Sequence, residues 1–243
     1  MKYLGGKHMI GKHIAEQLQM LCPPDMCLGY VEPFCGSLGV MRHMTDKGYK
    51  TYEAHDKHSD LISMWKKVQN QTLRLPDSCS EVDYNEWREN EFALSVPEER
   101  TAIGYGMSFG GVWWGGYARS TDGRDYMSEL RNGFSQILPQ IKSVKFKASD
   151  YKDLDIAEKL VYLDPPYERT KGYGAVGHFD HWSFWPWAEK LADNNTVVVS
   201  SPTAPEGWIQ VWQSQKWRNL SKSAEKRKHE TERLYIYAPI FDF

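Results

Sequence analysis

The first 69 residues alternate between short apolar runs and segments whose apolar residues recur at helical spacing. Within 11–21, Ile14, Leu18 and Leu21 fall on one helical face, and the prolines that follow end the helix. The run 28–34 has the apolar character of a buried strand. The predicted elements are a helix over 11–21, a strand over 28–34, a helix over 40–47, a strand that starts at 49 and ends at 56, and a helix over 59–69. This order predicts an α/β start with parallel strands.

The stretch 70–143 has a different pattern. It is polar at first and then rich in glycine and aromatic residues, most densely from Gly104 to Arg119. Glycines at this density indicate tight loops and close backbone approaches rather than another strand–helix repeat. Residues 126–138 then have the apolar spacing of a helix. We interpret the whole stretch as an insertion.

The strand pattern resumes at residue 144. Strands are predicted over 144–148, 159–163, 196–200 and 234–238, with a helix over 184–192 and a short element over 208–213. The segment 221–233 carries charges of both signs and almost no apolar residue, which is typical of a solvated loop. If that loop lies near DNA, its lysines and arginines would contact phosphates.

Composition agrees with a single folded unit. The 243 residues, 41% of them hydrophobic, suffice for one compact α/β domain with a small inserted subdomain. The formal net charge of −2 does not attract a polyanion to the molecule as a whole. Any surface that binds nucleic acid must therefore be local.

The four cysteines, Cys22, Cys27, Cys35 and Cys79, form no CxxC pair, and no histidine lies at zinc-finger spacing from them. We expect reduced thiols in a cytoplasmic protein, without a structural metal. No segment has the length of an apolar membrane span, and the first residues have no signal-peptide pattern, so no membrane partner is expected. The sequence leaves the oligomeric state open.

The segment Asp164-Pro165-Pro166-Tyr167 follows a hydrophobic run directly. Open parallel sheets bind ligands at the carboxyl ends of their strands. Prolines fix the backbone and remove N–H donors, so a carbonyl in this turn can accept a hydrogen bond from a ligand. The exocyclic amine of a nucleobase needs acceptors for two hydrogens, which Asp164 and the Pro165 carbonyl could supply, while Tyr167 stacks on the ring. The alternative is a rigid turn with a buried tyrosine.

The tetrapeptide resembles motif IV of the amino-methyltransferases, which methylate adenine at N6 or cytosine at N4. Val31–Gly36 resembles motif I of that family, a glycine turn that lets the backbone approach the cofactor. Leu38 stands where the family usually has a second glycine. Tyr3–Lys7 resembles motif X of the Dam-like branch, whose lysine suits the cofactor's carboxylate and whose aromatic residue suits the methionine part of the cofactor.

Two acidic positions complete the resemblance. Asp56 follows the second strand, where an acid commonly binds ribose hydroxyls, and Glu53 is the competing candidate. Asp150-Tyr151 resembles the family's acid–aromatic pair near the cofactor's adenine. The cofactor implied is S-adenosylmethionine. The resemblance places its binding residues at Tyr3, Gly6, Lys7, Glu32, Phe34, Gly36, Asp56, Asp150, Tyr151 and Asp164.

The order of the motifs narrows the family. Cofactor motifs come first, the insertion next and the catalytic tetrapeptide last, as in the α group that contains the Dam-like, D12-class adenine methyltransferases of bacteria and phages. This resemblance implies a Rossmann-like S-adenosylmethionine-dependent methyltransferase sheet, formed by residues 1–69 and 144–243. It also implies that residues 70–143 form an inserted target-recognition subdomain.

Residues 108–119 resemble the glycine–aromatic stretch of phage-type members. Arg119 and Arg124 flank a predicted hairpin tip at 120–123, from which arginines can read guanine edges or hold phosphates. Trp113 and these two arginines are therefore the expected DNA contacts, and a solvated hairpin with structural aromatics is the alternative. We interpret 178–182 as a loop that closes over a flipped base, because two histidines without further ligands do not make a metal site.

The expected function is site-specific methylation of adenine N6 in double-stranded DNA, with the base flipped into the pocket. Asp164, Pro165, Pro166 and Tyr167 would be the catalytic residues. Cytosine N4, RNA adenine and protein glutamine stay open as targets, although many cytosine enzymes carry Ser, and glutamine enzymes usually carry Asn, in place of Asp. A non-catalytic module that binds nucleic acid is a further alternative. The sequence also leaves open the recognition sequence in the DNA and the biological role, for which the alternatives are restriction protection, phage self-protection and regulation.

Overall fold

The computed structural model describes residues 1–90, 94–120, 123–167, 179–218 and 228–238. Its strands are β1 (Tyr30–Glu32), β2 (Tyr52–Asp56), β3 (Val144–Ala148), β4 (Leu160–Leu163), β5 (Thr196–Ser200), β6 (Trp208–Arg218) and β7 (Lys228–Tyr237). The described α-helices are α1 (Gly11–Leu21), α2 (Met41–Met44), α3 (Ser59–Gln69), α4 (Glu81–Glu89), α5 (Pro97–Gly106), α6 (Tyr126–Ile141) and α7 (His181–Ala192). Short 3₁₀ helices cover Phe109–Gly111 and Tyr151–Asp153.

The seven strands form one sheet in the order β3-β2-β1-β4-β5-β7-β6. The first five strands in this order are parallel to one another, whereas β7 is antiparallel to both β5 and β6. The predicted α/β fold with a mainly parallel sheet is confirmed.

The chain order reverses between β1 and β4. From β1 the chain continues to β2 on one side, and β4 lies on the other side, with Tyr30 paired to Leu160 and Val31 to Val161. A crevice therefore opens outside the carboxyl ends of these two strands, which is where open α/β sheets bind ligands. Glu32 ends β1, and Asp164 directly follows β4.

Apolar side chains cover both faces of the sheet. Tyr30 and Tyr162 belong to the core on the side of α1, α2 and α3. Val31 and Val161 belong to the core on the side of α7, together with Phe184 of that helix. Burial on both faces explains why the parallel strands are nearly continuous apolar runs in the sequence.

Most predicted elements appear at or near their predicted places, and the differences have local causes. The strand predicted over 28–34 is three residues long, and the helix predicted over 40–47 ends at Met44. Helix α7 begins at His181 rather than at residue 184. The reason is that the Asp180 carboxylate accepts hydrogen bonds from the backbone N–H groups of Trp182 and Ser183, which caps the helix.

The C-terminal prediction was wrong in two respects. The element predicted over 208–213 is the eleven-residue strand β6, and the segment 221–233, predicted as a solvated loop, contains most of β7 in its described part. Residues 219–227, with Lys222, Lys226 and Arg227, lie outside the described residues. Pairing with both β5 and β6 puts β7 inside the sheet, so its backbone ladder prevails over its polar composition.

The described part of residues 70–143 is helical. Helix α5 packs on α3, and α6 packs on α2 and α3, where Phe134 contacts Trp65 edge to face. Buried residues of these helices join the same core as β1 and β2. The assignment of this region to target recognition stays a prediction.

Candidate active site

A pocket of about 640 Å³ opens at the carboxyl ends of β1 and β4. All ten residues expected to bind the cofactor line it, as do Pro166 and Tyr167 of the tetrapeptide. The sequence stretches that carry the motifs are therefore neighbours in space. Further lining residues that the sequence did not single out are Ser37, Lys57, Lys152 and Tyr162.

The N-terminal turn brings Lys7 to the tetrapeptide. Its ammonium group donates to Asp164 Oδ1 at 2.7 Å and to the Tyr167 hydroxyl at 3.0 Å. Burial by itself would lower the pKa of Lys7, but the adjacent carboxylates of Asp164 and Glu232 raise it above its ordinary value, so the lysine is charged. The structure thus joins motif X to motif IV through a buried ion pair.

The glycine-rich stretch of the insertion holds this turn in place. The backbone N–H of Leu4 donates to the Gly111 carbonyl at 3.0 Å. Gly111 has a φ of +67°, and an added Cβ there would lie 2.4 Å from the backbone nitrogen of Tyr3. A side chain at Gly111 would therefore displace the turn that carries Lys7.

Glu232 is a site residue that the sequence analysis missed. It lies in β7, is 2% exposed, and accepts hydrogen bonds from the hydroxyls of Tyr167 and Ser200. Its Oε1 is also 3.4 Å from Lys7 Nζ. The alternation of Glu232 with Leu234 along β7 could have indicated an inward position, but the surrounding charges concealed it.

The turn after β1 approaches the pocket with its backbone. Gly36 has a φ of +45°, and an added Cβ would lie 3.1 Å from the ring of Tyr3. Leu38, at the place of the family's usual second glycine, also has a left-handed backbone with a φ of 60°, and its side chain is fully buried. The turn therefore keeps a glycine-like conformation without the second glycine.

Asp56 rather than Glu53 is the acid that lines the pocket. Its two carboxylate oxygens accept from the backbone N–H groups of Gly36 at 3.1 Å and His58 at 2.9 Å. Burial raises the pKa of Asp56 to about 6. Each oxygen keeps a second lone pair, which a ligand hydroxyl can use. Glu53 pairs with Lys159 at 3.5 Å on the flank of the sheet.

Glu32, the last residue of β1, also lines the pocket. It is 2% exposed, and the Tyr30 hydroxyl donates to its Oε1 at 2.6 Å. Burial raises the pKa of Glu32 to about 8, so this carboxyl holds a proton at neutral pH. A protonated carboxyl can donate as well as accept a hydrogen bond.

The far end of the pocket is aromatic. The rings of Phe34 and Tyr151 lie 5.2 Å apart, and Phe179 packs on both. Asp150, beside this cluster, pairs with Lys57 at 2.9 Å. A planar ring could stack at this end while polar atoms meet the charged pair.

The lining fits S-adenosylmethionine, which combines a purine, a ribose and an amino acid. Asp56 can accept from hydroxyls, and the Phe34–Tyr151 cluster suits the purine. In addition, the buried hydroxyls of Ser37 and Tyr162 have no hydrogen-bond partner within the described part of the chain, and both line the pocket. Buried hydroxyls without partners are unfavourable, so a polar ligand at this place would stabilise them.

Comparison with known proteins supports the same cofactor. Residues 3–96 match the model of the family of D12 class N6 adenine-specific DNA methyltransferases. The Type II methyltransferase M.MjaIII of Methanocaldococcus jannaschii is 24% identical over 215 residues, which cover 74% of this chain and 73% of that protein. The chain is an S-adenosylmethionine-dependent methyltransferase that is similar to the D12 class over residues 3–96. Its cofactor is S-adenosylmethionine.

Solved structures with low sequence identity were also found. A Pyrococcus horikoshii protein described as a candidate RNA methyltransferase has a TM-score of 0.44 and 11% identity, over 94% of this chain and 84% of its own. A candidate methylase from Haemophilus influenzae has a TM-score of 0.41 and 14% identity, over 93% and 88%.

The three residues expected to contact DNA have different surroundings in the structure. Trp113 is half-buried and packs against the rings of Tyr105 and His58, with centroid distances of 4.7 and 5.0 Å. Arg119 is exposed and forms a two-point ion pair with Glu81 at 2.9 and 2.5 Å. Arg124 is exposed, with its backbone N–H on the Ser120 hydroxyl. The predicted hairpin tip includes residues 121–122, which lie outside the described residues.

His178 of the segment 178–182 lies outside the described residues, and closure of this segment over a flipped base stays a prediction. Phe179, Asp180, His181 and Trp182 line the pocket where α7 begins. Trp182 is 92% exposed at this edge. Among the residues described, no group of three His, Cys, Asp or Glu could hold a metal ion, and no helix is long and apolar enough to cross a membrane.

Proposed function

We propose that this methyltransferase methylates N6 of a specific adenine that is flipped out of double-stranded DNA. The observation that carries the proposal is the buried contact between Lys7 and Asp164, which puts an oriented carboxylate in the same pocket as the Gly36 turn and Asp56. The tetrapeptide then orients the base that accepts the methyl group, and the cofactor-binding residues hold the methyl donor beside it.

Asp164 orients the amino group of the base. Its Oδ1 is engaged by Lys7, so Oδ2 and the Pro165 carbonyl accept the two amine hydrogens and direct the nitrogen lone pair toward the methyl group. Tyr167 stacks on the base, and its hydroxyl is anchored on Glu232. Removing the base from the helix costs a few kcal/mol of unstacking, which these contacts offset.

The transfer needs no metal and no covalent enzyme intermediate. S-adenosylmethionine supplies an electrophilic methyl group on a positively charged sulfur. The amino nitrogen forms a bond to the methyl carbon while the carbon–sulfur bond breaks and its electron pair returns to sulfur. The methylated nitrogen then loses a proton to solvent, so Asp164 need not be a strong base. The protein contributes positioning and electrostatic stabilisation.

Two features favour adenine in DNA over the other targets. The tetrapeptide has Asp where many cytosine N4 enzymes carry Ser and where glutamine enzymes usually carry Asn. The matched family is described as N6 adenine-specific and DNA-directed, and the relative M.MjaIII is named a Type II methyltransferase. Cytosine N4 and RNA adenine are outcomes that the experiment below distinguishes.

The test is nucleoside analysis after reaction with methyl-labelled S-adenosylmethionine. Purified protein is incubated with methylation-free double-stranded DNA, single-stranded DNA or RNA of the same sequence, and the digested nucleosides are identified. We expect N6-methyladenine from the double-stranded DNA. Label in methylcytosine, or in RNA alone, would contradict the proposal.

An Asp164 variant separates catalysis from cofactor binding. Asp164→Ala should abolish transfer while calorimetry shows S-adenosylmethionine bound nearly as in the wild type. Asp155→Ala, an exposed acid outside the pocket, is the matched control and should retain activity. Normal turnover of Asp164→Ala would rule out the assigned role.

A further inference from the structure

We propose that Glu232 is a positioning residue of this active site, which holds Lys7 and Tyr167 where they act on Asp164 and on the target base. The contacts themselves are independent of the reaction. Their role in methyl transfer rests on the proposed function.

Three distant parts of the chain meet at the Glu232 carboxylate. Lys7 belongs to the N-terminal turn, Tyr167 to the tetrapeptide and Ser200 to the end of β5. Glu232 Oε1 is 3.4 Å from Lys7 Nζ and accepts from the other two hydroxyls, which are themselves 3.0 Å apart. One oxygen atom therefore joins β7 to both elements that carry the catalytic contacts.

Burial shows how closely these groups depend on one another. Glu232 is 2% exposed and Lys7 is 5% exposed. A buried charge is tolerated only when it is paired and its hydrogen-bonding capacity is used. Glu232 has the ammonium and two hydroxyls for this purpose, so the position of the strand and the positions of the catalytic side chains are fixed together.

The contacts also determine which oxygen of Asp164 is engaged. An ammonium group has three donors, and Lys7 donates to Asp164 Oδ1, the Tyr167 hydroxyl and the Gly5 carbonyl, while Glu232 Oε1 faces the ammonium at 3.4 Å. With Glu232 in place, Lys7 is restrained from two directions and bonds to Oδ1. Without it, the ammonium would be free to shift across the Asp164 carboxylate and compete with the substrate amine for both oxygens.

The charges of the three groups favour the reaction as well. One positive Lys7 and two negative carboxylates, Asp164 and Glu232, sum to a charge of −1. The amino nitrogen becomes positive as it bonds to the methyl carbon, and a preorganised negative charge nearby stabilises that change. Replacing Glu232 with a neutral residue would make the sum zero.

The test compares Glu232→Gln with the wild type and with Glu206→Gln. Glutamine has nearly the same shape and still accepts from both hydroxyls, but it carries no charge, whereas Glu206 is exposed and makes a control of identical chemistry. We expect Glu232→Gln to lower kcat for double-stranded DNA at least tenfold, with the S-adenosylmethionine Kd within about threefold of the wild type and the same far-UV spectrum. Glu206→Gln should match the wild type in all three.

A second readout does not depend on activity. Nitrogen-15 NMR of labelled lysines follows the Lys7 ammonium, whose resonance is identified by its absence in Lys7→Met. We expect the ammonium protons of Lys7 to exchange with water faster in Glu232→Gln than in the wild type, because the ammonium loses one of the two carboxylates that hold it. Glu206→Gln should leave the exchange unchanged, and so would a glutamate at position 232 that made no contact with Lys7.

The outcomes are distinguishable. An unchanged kcat in a folded Glu232→Gln protein would overturn the inference, and so would a loss of kcat that follows a matching loss of cofactor binding. An unchanged exchange of the Lys7 ammonium protons in Glu232→Gln would overturn the contact itself. If the wild type methylates no DNA while the exchange responds to Glu232→Gln as expected, the proposed function fails and the contact stands.

Discussion

Lys7 Nζ lies 2.7 Å from Asp164 Oδ1, although 157 positions separate the two residues in the chain. The contact joins the N-terminal turn to the end of β4 in the wall of the pocket. Because Lys7 also faces Glu232, removal of the lysine takes a cation from two carboxylates, whereas removal of Asp164 takes one of two carboxylates from Lys7.

This asymmetry predicts unequal losses of stability. Lys7→Met should lower the free energy of unfolding by roughly 3–5 kcal/mol, the usual cost of breaking a buried pair, and Asp164→Asn should lower it by less. The double variant should lose less than the sum of the two. Urea unfolding of the four proteins measures the cycle, and strictly additive losses would show that the pair is not coupled.

The protonated Glu32 predicts a pH-dependent stability. Its pKa rises from 4.5 to about 8 on folding, so the folded protein binds the proton more tightly than the unfolded chain. The contribution of this group to the free energy of unfolding therefore falls as pH rises from about 4.5 to 8. Glu32→Gln should remove that fall and be the more stable protein at pH 9, by an amount on the order of a few kcal/mol. Parallel pH curves for the two proteins would contradict the assignment.

Asp56 predicts how cofactor affinity depends on pH. Only the ionised carboxylate can accept from two hydroxyls, and burial raises the pKa of Asp56 to about 6. The Kd for S-adenosylmethionine should therefore rise as pH falls below about 6, close to tenfold for each further unit, and Asp56→Asn should bind weakly at every pH. Calorimetry between pH 5 and 8 measures both, with Glu53→Gln as the control that keeps the wild-type profile.

The left-handed backbone at Leu38 predicts an unusual order of stability for its alanine and glycine variants. Leu38→Ala should destabilise the protein by roughly 2–5 kcal/mol, because it empties a fully buried site. Leu38→Gly removes the same side chain but relieves the left-handed backbone, worth about 1 kcal/mol. The glycine variant should thus unfold at a higher urea concentration than the alanine variant. The reverse order, which is usual elsewhere, would mean that the turn is not strained.

Arg119 predicts an effect on DNA binding without an effect on folding. Its pair with Glu81 is exposed, so Arg119→Ala should change the free energy of unfolding by less than about 1 kcal/mol. If Arg119 contacts DNA, the variant should bind DNA more weakly. For a contact to a phosphate, the slope of log binding constant against log salt concentration should become shallower by about one. For a contact to a base, the variant should discriminate less between DNA sequences. Glu81→Gln, which releases Arg119, is the control and should not weaken binding.

Much of the fold was predictable because it depends on local patterns. The predicted bounds of four elements agree with the observed bounds to within one residue. These elements are α1 and α3, predicted from apolar spacing, and β3 and β5, predicted from buried apolar runs. The boundaries failed where side chains cap an element, as Asp180 does for α7, or where strand pairing overrides composition, as in β7.

The residues of the site were predictable to the extent that motifs carry them. The tetrapeptide and the ten expected cofactor positions are recognisable in sequence because their chemistry needs particular residue types at particular places. Glu232 was not, because a glutamate among lysines and glutamates reads the same whether it is buried or solvated. Its burial depends on Lys7 and Ser200, which no local pattern connects to it.

The sequence by itself determined the α/β alternation, the positions of the motifs and the resemblance to the D12 class. These follow from local propensity, hydrophobic periodicity and the chemistry of short segments. Only the tertiary structure decided that Asp56 rather than Glu53 faces the pocket, that Lys7 pairs with Asp164, and that Glu232 joins them. Such contacts depend on strand register and on the cost of burying charge, and both are settled only when distant segments pack together.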